Sequence, residues 1–160
     1  MKLELDLEIR PATVADLDQL EWFGHQRHLR PHIGEILDRR TRGEAELLVA
    51  VVNDFAVGRL GIDFTRIPDA ALLWSFAVIP NLQRLGIGTA LIHAAEEIAR
   101  TRGFAIAEIE VDKGNAGARA LYERLGYTVT GERRGRWSFV DDRSDTVVVE
   151  DDDWVLRKRL

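Results

Sequence analysis

The chain has 160 residues, room for one domain with a sizeable core but cramped for two. Its formal charge of -5 argues against general nucleic-acid binding, and 46% hydrophobic with 31% charged residues is the balance of a soluble globular protein. There is no cysteine, which excludes disulfides, thiolate metal sites and a cysteine nucleophile.

The opening MKLELDLEIR places Leu3, Leu5, Leu7 and Ile9 on one face of a strand that Pro11 ends. It lacks the apolar core of a signal peptide, and no apolar run approaches the roughly 20 residues of a membrane span. A cytoplasmic protein with no membrane partner is the expectation. Thr13 and Asp16 have capping-box spacing and open a helix carrying Leu17, Leu20 and Phe23. Pro31 starts a second helix with Ile33, Ile36 and Leu37 on one face, stopped by Gly43. Leu47 to Val52 and Ala56 to Phe64 read as a hairpin about Asn53-Asp54. A fourth strand, Ala70 to Ile79, ends at Pro80.

Ile87, Leu91, Ala94, Ala95 and Ile98 fall at helical spacing and Gly103 follows as a stop. A strand over Ile106 to Val111, a short helix from Ala116 to Leu125, a strand from Tyr127 to Val140 and a last strand from Trp154 to Leu160 complete the chain. The order β, α, α, β, β, β, α, β, α, β, β has hairpins and one strand-helix-strand crossover. It predicts an α/β sheet with both parallel and antiparallel pairs in one domain over 1–160.

The turn between the fourth strand and the long helix reads Gln83-Arg84-Leu85-Gly86-Ile87-Gly88-Thr89. A helix N-terminus leaves amides without intrahelical partners and carries partial positive charge, and glycines let an anion approach the backbone. A phosphate or pyrophosphate fits there, with Arg84 adding charge. No lysine precedes Thr89 as a Walker A loop requires, and residue 91 is leucine where a dinucleotide fingerprint needs glycine. On pattern alone a plain tight turn stands equally.

This stretch resembles the Q/R-x-x-G-x-G/A signature of the GNAT superfamily, the acyl-CoA N-acyltransferases. A second block, NAGARALYERLGY, is similar to the family's N-x-x-A-x-x-L-Y-x-x-x-G-F/Y segment at Asn115, Ala118, Leu121, Tyr122, Gly126 and Tyr127. The opening IRPATVADLDQL also resembles the family. The resemblance implies a mixed, mostly antiparallel sheet of about seven strands with about four helices, splayed between its fourth and fifth strands.

It further implies acetyl-CoA as acyl-donor cosubstrate. Its pantetheine arm would pair with the backbone of Phe76, Ala77 and Val78, and its pyrophosphate would rest on amides from Arg84 to Thr89. Asn115 would sit near the pantetheine or, equally, cap the short helix. Tyr122 would be the general acid for the departing thiolate; it also fits as a core aromatic beside Ala118 and Leu125, and the two roles are compatible. The backbone N–H of Val78 would polarise the thioester carbonyl.

The family's usual fourth-strand carboxylate is missing: AALLWSFAVI contains no Asp or Glu. Glu110 is the candidate base, and Asp63 a weaker one; a solvated face is the plain alternative for Glu108 and Glu110. Without cysteine, direct attack by a primary amine in a ternary complex is expected. The acceptor would be a small molecule, a peptide or a protein N-terminus. The alternatives are a non-catalytic acyl-CoA-binding sensor or partner module and, more remotely, a nucleotide-binding domain.

No metal site is expected. His25, His28 and His32 flank Pro31, which breaks regular ligand spacing, and read as a polar helix connection. The acidic segment 141–153 reads as a solvated hairpin tip, or as a feature steering a cationic amine. The C-terminal strand edge would suit a homodimer.

Overall fold

The structure is a computed structural model that describes residue 1 and residues 4–160. Leu3 therefore lies outside the described residues. β1 covers Leu7–Pro11 and pairs antiparallel with β2, Ala45–Val52. The alternation of the opening is present, but Leu5 and Leu7 are exposed and only Ile9 packs on the core, because β1 is a sheet edge.

Between these strands a 3-10 turn, Val14–Asp16, runs into α1, Leu17–Leu20. Asp16 accepts the Thr13 amide at 2.7 Å and both Arg10 Nη groups at 2.8 Å, so the entry to the turn is tied to β1. The helix is shorter than its apolar spacing predicts. Trp22, Phe23 and Gly24 take φ of 46°, 59° and 92° and turn the chain sharply. Trp22 goes inward, giving its indole N–H to the Ala56 carbonyl at 2.9 Å, while Phe23 stays exposed against Phe55. A second 3-10 turn, Arg27–Leu29, leads into α2, Arg30–Thr41, with Pro31 in its first turn where a missing N–H costs nothing. Ile33, Ile36 and Leu37 are buried as expected.

Asn53 and Asp54 take φ of 48° and 66°, the left-handed pair of a two-residue hairpin turn, and deliver β3, Phe55–Asp63. Both β2 and β3 are covered on both faces, which is why they read as apolar runs. The remaining elements are β4 (Ala71–Val78), α3 (Ile87–Thr101), β5 (Ile106–Asp112), α4 (Ala116–Arg124), β6 (Thr128–Val140) and β7 (Thr146–Arg159). All strands form one sheet in the order β1-β2-β3-β4-β5-β7-β6, antiparallel except for β4 with β5. α1 and α2 cover one face over Leu47, Val49 and Val51; α3 covers the other over Leu48, Leu60, Ile62 and Leu73. This is the mixed, mostly antiparallel architecture expected from the sequence. No helix among the described residues is long and apolar enough to cross a membrane.

Asp63, 1% exposed, fastens α2 to β3. It accepts two Arg39 bonds at 2.7 and 3.0 Å and the amides of Thr65 and Arg66. Burial alone would raise its pKa, but those donors win and hold it at about 2. A carboxylate so committed cannot serve as a base, so that weaker candidate is set aside.

The last strand begins at Thr146, eight residues before its predicted start, and only 141–145 form the hairpin tip. The acidic run lies within the β6–β7 ladder, where Arg134 reaches Asp152 at 3.7 Å. Arg133, Arg134 and Arg136 lie opposite Asp153, Asp152 and Glu150, so the acidic run is a paired strand segment. Asp153 also lies opposite Asp112 of β5. Burial, then the carboxylates of Asp151, Glu110, Asp112 and Asp152, push its pKa up to about 6. The native state therefore pays for ionising it as pH rises from the unfolded value of 3.8 through about 6. Asp153→Asn raises the melting temperature at about pH 7.5 and leaves it unchanged near pH 3.5, as thermal denaturation at the two pH values will show.

Candidate active site

β4 and β5 are joined over only three residue pairs, Ala71 with Ala107, Leu72 with Glu108 and Leu73 with Ile109. Beyond them both strands continue, β4 to Val78 and β5 to Asp112, without pairing. The divergence starts where β4 bulges against β3, with Ser75 at φ 51°. Past the bulge, Ile79 gives its N–H to the Val57 carbonyl at 2.8 Å, one step from the Gly58–Val78 pair. By the alternation of an antiparallel ladder, the N–H and C=O of Val78 then point away from β3, toward the opening. The groups of Phe76 share that direction, whereas those of Ala77 face Arg59 on β3.

The opening is a cleft of about 830 Å³. Phe76, Ala77 and Val78 form one wall, Gln83, Arg84, Gly86, Gly88 and Thr89 its head, and Asn115 and Tyr122 the opposite wall. These include residues of the two sequence blocks, which begin at Gln83 and Asn115, 32 positions apart in the chain, and are brought to one space by the crossover. Leu85 and Ile87 are not among the lining residues. Leu85 is 57% exposed and Ile87 is in the core, so neither offers its side chain to the cleft.

The two glycines of the turn have different settings. Gly86 is the N-cap of α3 at φ 86°, a left-handed conformation that a Cβ disfavours, with open space around it. Gly88 instead meets a side chain: a Cβ there would lie 2.8 Å from Cζ of Phe76, so the ring would have to shift. The first bond of α3 runs from the Ala90 amide to the Gly86 carbonyl, so the amides of Ile87, Gly88 and Thr89 precede it without a partner in the helix. Their positive end faces the head of the cleft.

Asn115 is the N-cap of α4, its side chain accepting the Ala118 amide at 3.1 Å, and it also lines the cleft. Tyr122 is buried, with ring centroids 6.3 Å from Phe76 and 6.4 Å from Tyr127. Burial pushes its phenol pKa up, so the hydroxyl stays protonated throughout the physiological range. Five further residues line the cleft that sequence reading left out of it: Gly117, Ala118, Ala120, Leu121 and Arg124. The signal was there, because 117, 121 and 124 stand at helical spacing beside 118 and 122.

Glu110 is not among the cleft-lining residues. It follows the last β4–β5 pair and lies on the α1–α2 face of the sheet, opposite to Ile109 and Val111, partly exposed and ion-paired with Arg133. Glu108, on the same face, is buried and bonded to Arg133 at 3.0 Å and Arg157 at 2.9 Å. The solvated-face alternative thus fails for Glu108. Among the three histidines, His25 is exposed, His28 packs on Phe139 at 4.7 Å and His32 on Trp74 at 4.8 Å. Among the described residues no group of three or more His, Cys, Asp or Glu side chains is placed to hold a metal ion.

The family model described as the acetyltransferase (GNAT) family matches residues 12–127. A [Ribosomal protein bS18]-alanine N-acetyltransferase from Escherichia coli K12 is 40% identical over 82 residues, covering 51% of this chain and 55% of that one. The chain thus spans about half the length of the curated relatives it matches. Among solved structures, a ribosomal-protein-alanine N-acetyltransferase from Brucella melitensis superposes with TM-score 0.74 at 23% identity, over 96% of this chain and 99% of that one. PaiA N-acetyltransferase from Thermoplasma acidophilum, solved with coenzyme A, superposes with TM-score 0.71 at 18% identity, over 97% and 99%. At such identities the two structures bear on the fold.

Proposed function

The chain belongs to the acetyltransferase (GNAT) family, and from that premise we propose that it moves an acetyl group from acetyl-CoA to a primary amine, with a peptide or protein N-terminus as the favoured acceptor. The observation that carries this reading is the cleft between β4 and β5, with unpartnered helix amides at its head and a protonated tyrosine in its wall. Similarity to the alanine N-acetyltransferase favours an N-terminal amine over other acceptors.

When bound, acetyl-CoA supplies an acyl carbon activated as a thioester. The amides of Ile87, Gly88 and Thr89, with Arg84, hold the diphosphate. The outward backbone groups of Phe76 and Val78 pair with the pantetheine arm, and the Val78 N–H polarises the thioester carbonyl. The amine enters from the α1–α2 face, where Glu110 accepts its proton directly or through water. A C–N bond forms as the C–S bond breaks, and Tyr122 gives the sulfur its proton. With no cysteine in the chain, the transfer is direct, in a ternary complex.

Titration calorimetry with acetyl-CoA, followed by thiol release across amidated peptides with N-terminal alanine, tests the reading. Binding and turnover are expected. Tight binding without turnover on any amine would instead mark a sensor module, and absence of binding would overturn the site altogether. Gly88→Ala supplies a structural control. Its Cβ meets the tip of the Phe76 ring, which lines the cleft, so the ring must shift, and a weakening of acetyl-CoA binding by about tenfold is expected, read by the same calorimetry.

A further inference from the structure

Five charged residues are buried among the described residues: Asp16, Arg59, Asp63, Glu96 and Glu108. Four have a countercharge: Asp16 has Arg10, Asp63 has Arg39, Glu96 has Lys158, and Glu108 has Arg133 and Arg157. Arg59, 3% exposed, is the exception. Its Nε donates to Ser75 Oγ at 3.4 Å and Nη2 to Gln26 Oε1 at 3.3 Å, both neutral and both long. Its Nη1 has no hydrogen-bond partner among the described residues. Glu21, the acid in the wall of the adjoining space, is committed to Arg30 at 3.2 Å. Burial alone lowers the guanidinium pKa to about 10, which still leaves it charged at neutral pH.

Among the described residues this is the one buried cation without a countercharge, with the Trp22 ring 5.5 Å from its Cζ as its partial compensation. That position adjoins the cleft. Arg59 pairs with Ala77 of β4, and its Nε reaches the bulge residue Ser75, next to Phe76. It projects to the α1–α2 face with its strand neighbours Val49 and Ala77, the face from which an amine reaches the gap. Across the gap, on that same face, stand Glu110 and Asp112 of β5 and Asp153 of β7. The two sides therefore carry opposite charge, which is the order that a zwitterionic acceptor requires.

We propose that Arg59 selects the acceptor, gripping through Nη1 and Nη2 a carboxylate that the acceptor carries a few bonds from its reactive amine. The grip is the two-point pair that guanidinium and carboxylate favour. The space beside Arg59 is about 10 Å³, smaller than a carboxylate. Entry therefore displaces the Gln26 side chain, whose Oε1 the incoming carboxylate replaces at Nη2. Peptides with an early Asp or Glu and free acidic amino acids share this chemistry.

The proposal rests on the acetyl-transfer reading, and its test separates the two. Thiol release is measured on amidated Ala-Glu, Ala-Ala and Ala-Lys pentapeptides and on free glutamate and glutamate diamide. The wild type is expected to favour the carboxylate-bearing member of each set by about tenfold or more in kcat/KM. Arg59→Gln abolishes that preference through KM, with kcat and acetyl-CoA affinity kept, and Arg59→Lys retains part of it. The larger preference, in peptides or in amino acids, identifies the source of the carboxylate. Equal wild-type rates on acidic and neutral acceptors overturn the proposal, as does a uniform slowing of every acceptor by Arg59→Gln. Should Arg59→Gln not fold, the wild-type preference decides. If acetyl-CoA binds but no amine turns over, acetyl transfer fails, and the anion site is judged by N-acetylglutamate: protection of the wild type against melting that weakens in Arg59→Lys supports it, and no protection of the wild type, or equal protection of both, overturns it.

Discussion

Replacing Tyr122 by phenylalanine lowers kcat by about 10²–10⁴-fold while acetyl-CoA affinity stays within about twofold. The substitution removes one oxygen and keeps the ring. That ring is packed against Phe76 and Tyr127, and the hydroxyl makes no hydrogen bond among the described residues, so the fold has little to lose. The departing sulfur has much to lose, because among the described residues no other hydroxyl or cationic side chain stands in the inner wall: its neighbours Ala118 and Leu121 are apolar, and Arg124 is exposed one helical step outward. Burial raises the phenol pKa, so Tyr122 remains an acid across the accessible pH range and contributes no alkaline fall in rate. Thiol release and calorimetry on the same preparation check both halves. An unchanged kcat would reduce Tyr122 to a packed aromatic.

Much of this cleft is legible in the sequence. The turn at 83–89 and the segment 115–127 carry local signals: a glycine N-cap, an asparagine N-cap and helical spacing, each a short-range property of the chain. What was not legible depends on pairing between distant strands. What Gly88 meets is the ring of Phe76, twelve residues earlier on a neighbouring element, and nothing in Gly-Ile-Gly announces it. The early start of β7 sets an acidic run at 150–153 opposite a basic run at 133–136, a match that reads as two unrelated charge clusters until the register aligns them. The end of α1 at Leu20 is decided by Trp22 reaching the Ala56 carbonyl across 34 positions, against a helical pattern that would have continued to Phe23. Arg59 stands in a strand that reads as ordinary, and what sets it apart is the countercharge that the fold gives to each other buried charge among the described residues.

Glu110→Gln is expected to lower kcat/KM by about 10²-fold at pH 7, with a smaller loss at about pH 9.5. An α-amino group has a pKa of roughly 8 in solution, so at pH 7 most of the acceptor must lose a proton before it attacks, while at the higher pH it arrives deprotonated. β4 offers no carboxylate for this task, and the acids on the acceptor face are not equivalent. Glu108 is sealed under Arg133 and Arg157. Asp112 is turned to the Gly114 amide at 2.7 Å. Asp153 titrates near 6 but lies on β7, one strand farther from the gap. Glu110 is the first β5 residue past the last β4 pair, partly exposed, and its ion-pair partner Arg133 is itself 42% exposed. The Asp153→Asn variant gives the internal comparison, since it alters stability and is expected to keep the wild-type rate. A profile in which Asp153→Asn loses activity and Glu110→Gln keeps it at both pH values would move the base one strand over, to β7.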